Sequence, residues 1–252
     1  MSLSEKEICE IVEALRHLTL AQQQWVKSAI HAFGAACTFW RATDSDVVTQ
    51  AVLATIGDRL LTHHAGSREA LSKDRFEFAF EQALNASGIS AALVSSRTNP
   101  GHDITIAGVP VILKTEAAKS IKTDQLHISK WMELGKGPWE LPYQRDAFLH
   151  HMRSYERIFS FRKLRTTPPA LYYELVEIPK ALLLESAQCV FEVCEDSEQY
   201  LKPGYGYVRD TAGNLKFELY FDAGSERKLR IQKLRKDLCK VHATWTFDSA
   251  PA

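Results

Sequence analysis

The charged residues whose types and spacing best suit chemistry are Asp103, Lys114 and Glu116. They lie in the run Asn99-Pro100-Gly101-His102-Asp103-Ile104-Thr105-Ile106-Ala107-Gly108-Val109-Pro110-Val111-Ile112-Leu113-Lys114-Thr115-Glu116. The run reads as two short strands about a turn at Ala107-Gly108, with the aspartate on the first strand and Lys-x-Glu on the second. Strand side chains alternate between faces, so Val109, Val111 and Leu113 share one face and Ile112, Lys114 and Glu116 the other. Two carboxylates converging beside one lysine suit metal-assisted phosphodiester hydrolysis. Carboxylate oxygens hold Mg²⁺, the metal activates water and neutralises developing charge, and the lysine orients or deprotonates the nucleophile.

The flanking sequence must supply elements that position these groups. Helices are expected over 5–16, 20–40 and 45–61, with Thr19 placed for a capping box and Asp44 or Ser45 placed to start the third. A fourth helix over 73–86 aligns Phe76, Phe80 and Leu84 at i, i+4 and i+8 and ends near Gly88. It also carries Glu77 and Glu81 one turn apart, each within reach of a metal beside Asp103. Strands are expected at 91–95, 103–107 and 109–116. The segment 142–164 reads as the longest helix, with Phe148, Met152, Tyr155, Ile158 and Phe159 on its apolar side. Arg145, Arg153, Arg157 and Arg162 make its polar side basic, and Thr166-Thr167-Pro168-Pro169 ends it. Strands follow at 171–178, 189–195, 204–209, 215–221, 227–233 and 241–247, with a hairpin turn over 210–214. The expected fold class is α/β in the mixed α+β sense: a central sheet flanked by helices within a single domain, 1–252. Its parts are a helical N-terminal region (1–66), a core over 73–165 and a β-rich region over 170–248.

Composition narrows the function classes. With 252 residues, 45% of them hydrophobic, the chain is long enough for a sizeable core and fits no disordered class. No apolar run is long enough for a membrane span, and the first residues lack a basic segment followed by an apolar one, so a cytoplasmic location is expected. Cys9, Cys37, Cys189, Cys194 and Cys239 are scattered without Cys-x-x-Cys spacing, which predicts free thiols. The 31 basic and 31 acidic residues cancel, but unevenly along the chain. Residues 114–165 hold eleven Lys/Arg against six Asp/Glu, and 223–240 hold seven against two, whereas 171–198 hold one against seven. Two basic segments of this kind can supply the positive face that a nucleic-acid backbone requires.

Other motifs carry less. Gly204-Tyr205-Gly206 lacks a following helical pattern, so a dinucleotide loop is not expected. His63-His64 and His150-His151 put adjacent rings on different faces and read as surface or interface histidines, and His102 reads as satisfying a turn. No Gly-x-Ser-x-Gly elbow or Cys/His nucleophile context is present.

The central motif resembles that of the PD-(D/E)XK nuclease superfamily: an aspartate, a variable gap, then an acidic residue, any residue and lysine. Asp103 stands at the aspartate position and Lys114 at the lysine position, but Ile112 stands where the pattern has an acid. Glu116 is the nearest replacement. Glu133, which the resemblance would place on a following helix, is a less local one, and Glu77 or Glu81 corresponds to the glutamate that members take from a preceding helix. The runs 113–122, 128–130, 132–137, 217–222, 227–229 and 241–245 are similar to stretches of type II restriction endonucleases, a likeness spanning about 73–247. This implies Mg²⁺-dependent, sequence-specific hydrolysis of double-stranded DNA leaving 5′-phosphates. In that reading Asp103 and Glu116 bind the metal, Glu77 supports a second metal or a metal-bound water, and Lys114 positions the attacking water. Lys119, Lys122, Lys130, Arg227, Lys228 and Arg230 would contact DNA, with Lys233 beside them. The resemblance also implies a two-fold homodimer and a companion DNA methyltransferase encoded nearby. Two alternatives stay open: a repair or mismatch nicking nuclease of the same superfamily, and a DNA-binding module whose nuclease core has decayed.

Overall fold

Hydroxyl side chains open four of the helices. Ser4, Thr19, Thr49 and Ser72 each accept the amide three residues on, and Glu7 and Gln22 complete capping boxes at the first two. In the computed structural model, which describes residues 3–95, 101–118, 121–166 and 170–247, these helices are α1 (Glu5–Arg16), α2 (Leu20–Phe33), α3 (Gln50–Gly66) and α4 (Lys73–Ala86). Helix α2 stops at Gly34 rather than running to residue 40, and β1 (Cys37–Arg41) takes up the remainder. Its β-forming run pairs at a sheet edge, where Phe39 turns inward onto Phe247 and Trp40 outward. Thr49, not Asp44 or Ser45, caps α3; Ser45 instead accepts the amide of Val48 and bonds the His242 ring.

After α4 come β2 (Ala91–Leu93), β3 (Ile104–Ile106), β4 (Val109–Glu116) and β5 (Gln125–Glu133). Ala107 and Gly108, with φ of 48° and 81°, make the two-residue turn between β3 and β4, whose twist matches that of a hairpin. The expected 142–164 helix is instead α5 (Leu141–His151), a single tight turn over Met152–Ser154, and β6 (Arg157–Arg165). From residue 158 the pattern has period two, with Phe159 and Phe161 on one face and Ile158, Ser160 and Arg162 on the other. A slot between two strands decides the matter against helix. The chain then runs through β7 (Leu171–Glu177), β8 (Val190–Val193), β9 (Gly204–Arg209), β10 (Leu215–Asp222), β11 (Lys228–Arg235) and β12 (Lys240–Phe247).

Two sheets result, so the fold is mixed α+β. The first has the order β1-β12-β7-β6-β4-β3-β2, antiparallel throughout except for the parallel pair β4 and β6. The second, β5-β11-β10-β9-β8, is antiparallel. Helices α3 and α4 cover one face of the first sheet through Leu53, Phe76 and Phe80 against Phe159, Phe161 and Trp245. Its other face, with Ile112, Ile158 and Val176, packs on α5 and the second sheet. The β-rich region is therefore divided: β7 and β12 join the first sheet, and β8 to β11 the second. No helix among the described residues is long and apolar enough to cross a membrane.

Strand β4 lies inside this sandwich with both faces covered. Val111 and Leu113 enter the helix-side core, Ile112 enters the other, and Lys114 and Glu116 share the face of Ile112. Register sets the neighbours on β6: Ile112 faces Ile158, Lys114 faces Ser160, and Glu116 faces Arg162.

Candidate active site

Three segments bring charge together where β3 begins. The ladder runs out at Ile104, and the Asp103 carboxylate takes its place: Oδ2 accepts the Leu113 amide at 2.6 Å. Oδ1 accepts from Lys73 Nζ at 2.9 Å. Lys73 and Glu77 are one turn apart on α4, and Nζ lies 3.1 Å from Glu77 Oε1. That oxygen is buried, with the Lys73 ammonium beside it. Burial and then the nearby Asp103 raise the Glu77 pKa, with Lys73 pulling the other way. Burial also opposes the charge of Lys73, but Asp103 and Glu77 overcome it and raise its pKa.

Lys114 closes the cluster from β4. Its Nζ is buried, donates to the Trp131 carbonyl at 2.9 Å and lies 5.3 Å from the centre of that indole ring. Burial, followed by the positive charge of Lys73, brings its pKa down to about 8, while Asp103 and Glu77 hold it from falling further. Near neutral pH this amine can therefore exist with or without its proton. Trp131 Nε1 donates to the Tyr155 hydroxyl at 3.1 Å, and the ring of His151 meets Tyr155 edge-on with centroids 5.4 Å apart.

The other carboxylates proposed from sequence have different partners. Glu116, two residues beyond Lys114 on the same face, accepts from Ser160 Oγ on Oε1 and from Arg162 Nε and the His127 amide on Oε2. Arg162 also pairs with Glu174, which pairs with Lys236. Both oxygens of Glu116 are thus engaged in a buried ionic row between the sheets, apart from the Asp103, Glu77 and Lys73 group. Glu81 accepts the Leu93 amide at 2.7 Å, serving the edge of β2. Glu133 lies on strand β5, not on a helix, and is exposed in an ion pair with Lys130.

A family model for SmaI, a type II site-specific deoxyribonuclease, matches residues 11–247. The chain belongs to the SmaI family. It is 50% identical over 212 residues to the type II restriction enzyme SmaI of Serratia marcescens, an alignment covering 84% of this chain and 86% of that protein. No solved structure matches. The SmaI-family match spans all of the residues gathered at the cluster, from Lys73 to Tyr155.

In this SmaI-family chain the basic residues expected on DNA are mostly engaged. Lys119 lies outside the described residues. Lys122 is exposed. Lys130 and Lys228 both pair with Glu226, Arg230 with Asp222, and Lys233 with Glu218. Arg227 donates to the carbonyls of Gly135 and Gly137 and stacks over Trp139. With Lys136 and the fully exposed Tyr200 it lines an open cleft of about 630 Å³ beside the end of β5. Of the four arginines expected on one helix face, Arg162 is wholly buried on β6 and Arg157 bridges Asp46 and Glu177. Arg145 pairs with Asp146, and Arg153 is exposed.

Two cluster residues were missed from sequence. Lys73 precedes Glu77 by four, a spacing that predicts their contact on the expected helix 73–86. His151, expected at the surface or at an interface, follows Phe148 by three, and Gln144 and Phe148 define the buried stripe of α5, while His150 faces out. Its Nε2 is buried without a hydrogen-bond partner, a condition that costs about 1–3 kcal/mol where nothing relieves it.

Proposed function

We propose that this chain hydrolyses phosphodiester bonds in both strands of double-stranded DNA at a specific sequence, leaving 5′-phosphates. The reacting groups are Asp103, Glu77 and Lys114, in a PD-(D/E)XK-type arrangement in which Glu77 replaces the acid absent at Ile112. The observation that carries this reading is their convergence from the residue before β3, from α4 and from β4, with the two carboxylates partly open to solvent. Membership of the SmaI family supports the activity.

The residues present fit Mg²⁺. Asp103 and Glu77 offer hard carboxylate oxygens, and they already share one cation in Lys73, whose place an ion could take. Among the described residues no group of three or more His, Cys, Asp or Glu is arranged for a metal. Mg²⁺ characteristically keeps several waters and takes one or two carboxylates. When bound, it supplies charge neutralisation at the scissile phosphate and a more acidic water. Lys114, anchored by the Trp131 carbonyl, holds its amine at the cluster, where it orients the attacking water and exchanges a proton near neutral pH. Lys73 adds a second positive charge that attracts the phosphate.

Cutting both strands of a symmetric site is most simply achieved by a two-fold homodimer, and a companion DNA methyltransferase encoded nearby would protect the host. The deciding experiment is digestion of plasmid and genomic DNA with Mg²⁺ and with chelator, followed by sequencing and kinase-free ligation of the ends. Discrete, directly ligatable fragments sharing one terminal sequence are expected with Mg²⁺ alone. Nicked circles would move the reading to a strand-nicking nuclease, and retention of DNA without scission to a binding module.

A further inference from the structure

Helix α1 has an apolar stripe, yet none of its residues is buried. Ile8, Ile11, Val12 and Leu15 stand at i, i+3, i+4 and i+7 and so share one face. Ile8, Ile11 and Val12 are 49%, 49% and 47% exposed, and Leu15 is half-buried. Leu15 also lines an open groove of about 290 Å³ between α1 and α2, together with Val26 and Ile30. Stripe and groove thus make one continuous apolar surface. A helix as short as α1 is marginal in water unless its apolar face is covered.

Charge narrows what can cover it. Around the stripe α1 carries Glu5, Glu7, Glu10 and Glu13 against Lys6 and Arg16. Such an acidic helix is repelled by a DNA backbone and by an anionic membrane surface, which leaves a protein as the occupant. The pattern is complementary to itself. Glu5 and Arg16 lie about three turns apart, on the same flank of the stripe and at opposite ends of the helix, too distant to pair within one chain. A two-fold axis crossing α1 at right angles keeps the flank and exchanges the ends, so that Glu5 of each copy meets Arg16 of the other and Ile11 and Val12 lie near the axis. Arg16 otherwise holds Glu13 of its own helix, in an exposed pair that is exchanged at little cost.

We propose that α1, with the groove it shares with α2, is the surface on which two copies of this chain dimerise, the two α1 helices lying antiparallel with reciprocal pairing of Glu5 and Arg16. The inference rests on the reading that two copies cut the two strands of one site. Helix α2 rests on α3 and α3 on α4, so this surface belongs to the helical layer that presents Lys73 and Glu77.

The test is sedimentation equilibrium of the full chain over a concentration series, with circular dichroism and with Mg²⁺-dependent cleavage of a supercoiled plasmid alongside. It compares wild type, Ile11→Glu, Glu5→Arg, Arg16→Glu and the double variant Glu5→Arg with Arg16→Glu. The wild type is expected to be a dimer. Ile11→Glu should raise its dissociation constant at least about 10²-fold, since each copy loses an apolar contact and brings a like charge to the axis, and should accumulate nicked circles before linear product. Each single charge change should raise the constant about tenfold, and the double variant should return it to within about threefold of wild type. Both charge changes oppose the helix dipole, so an effect through helix stability alone would add in the double variant instead of cancelling. A wild type monomeric throughout the series, with and without duplex, overturns the proposal, as does a dimer unaffected by Ile11→Glu. A double variant no better than the single ones overturns the antiparallel pairing. A dimer that responds as expected but cuts neither strand of DNA upholds the surface and overturns the nuclease reading instead.

Discussion

Two charged clusters hang from one face of β4, centred on residues only two apart, and they differ in kind. Around Glu116 both carboxylate oxygens are engaged, Arg162 is wholly buried, and Glu174 and Lys236 extend the row. Around Lys114 the pairing is looser: Lys73 is shared between Asp103 and Glu77, and Lys114 has been brought to a pKa of about 8. Asp103 and Glu77 also keep partial access to solvent, at 22% and 18% of their side-chain surface. A satisfied buried row fixes how two sheets meet; an unsatisfied, half-open one is free to take a ligand. Each cluster combines two carboxylates with two cations, and they differ in pairing and in access to solvent.

The sharpest way to break this contrast is to neutralise one member of each cluster. Asp103→Asn and Lys114→Met should each reduce cleavage at least about 10⁴-fold, a barrier rise of ~5 kcal/mol, with a melting temperature close to wild type. Steady cleavage assays paired with melting curves check this, and activity above about a tenth of wild type would remove the residue from the reacting set.

Arg162→Met should do the reverse. It leaves Glu116 and Glu174 buried without their guanidinium, which typically costs about 3–5 kcal/mol, so the urea midpoint should fall sharply. Cleavage per folded molecule, measured well below the melting temperature, should stay within about threefold of wild type. A stable but inactive variant would make the Glu116 row part of the reaction.

Smaller effects sharpen the ligand assignment. Glu77→Gln should raise the Mg²⁺ concentration needed for half-maximal cleavage by about tenfold or more, whereas Glu133→Gln and Glu81→Gln should leave it nearly unchanged. A Mg²⁺ titration of the three variants decides the order, and the greatest shift in Glu133→Gln would move the ligand to β5.

The smallest predicted difference separates two arginines near one another in sequence. Arg227 lines the cleft and has hydrogen bonds to carbonyls, whereas Arg230 is paired to the buried Asp222. Arg227→Gln should flatten the dependence of log K on log salt by about one unit if it meets a phosphate. Arg230→Gln should lower stability and leave that slope alone. Filter binding across salt concentrations, with melts alongside, distinguishes them; equal slopes in both variants and wild type would make Arg227 a solvated or structural side chain.

Much of this was legible before any coordinates. The helix over 73–86 and the strand over 109–116 are expected at their observed bounds, because the Phe76/Phe80/Leu84 stripe and the alternation about Leu113 are local signals. The Ala107-Gly108 turn was equally local, needing only two residues able to hold positive φ. The segment 157–165 was not legible as a strand, since its apolar residues continue the pattern of the preceding helix and only the slot between β4 and β7 selects the alternating fit.

By itself, the sequence determined the local pieces: the hairpin that carries Asp103 and Lys114, the shared face of Lys114 and Glu116, and the helix that presents Glu77. Tertiary structure alone decided which carboxylate would be available to Lys114. Alternation makes Lys114 and Glu116 equivalent, but the parallel pairing of β4 with β6 sets Ser160 opposite one and Arg162 opposite the other, and β7 then adds Glu174 to the second row. A buried guanidinium between two carboxylates takes hold of both, so Glu116 is tied to Arg162, and a helix about forty residues earlier in the chain brings Glu77 to the group that includes Asp103 and Lys73. That outcome depends on long-range register, which no local pattern encodes.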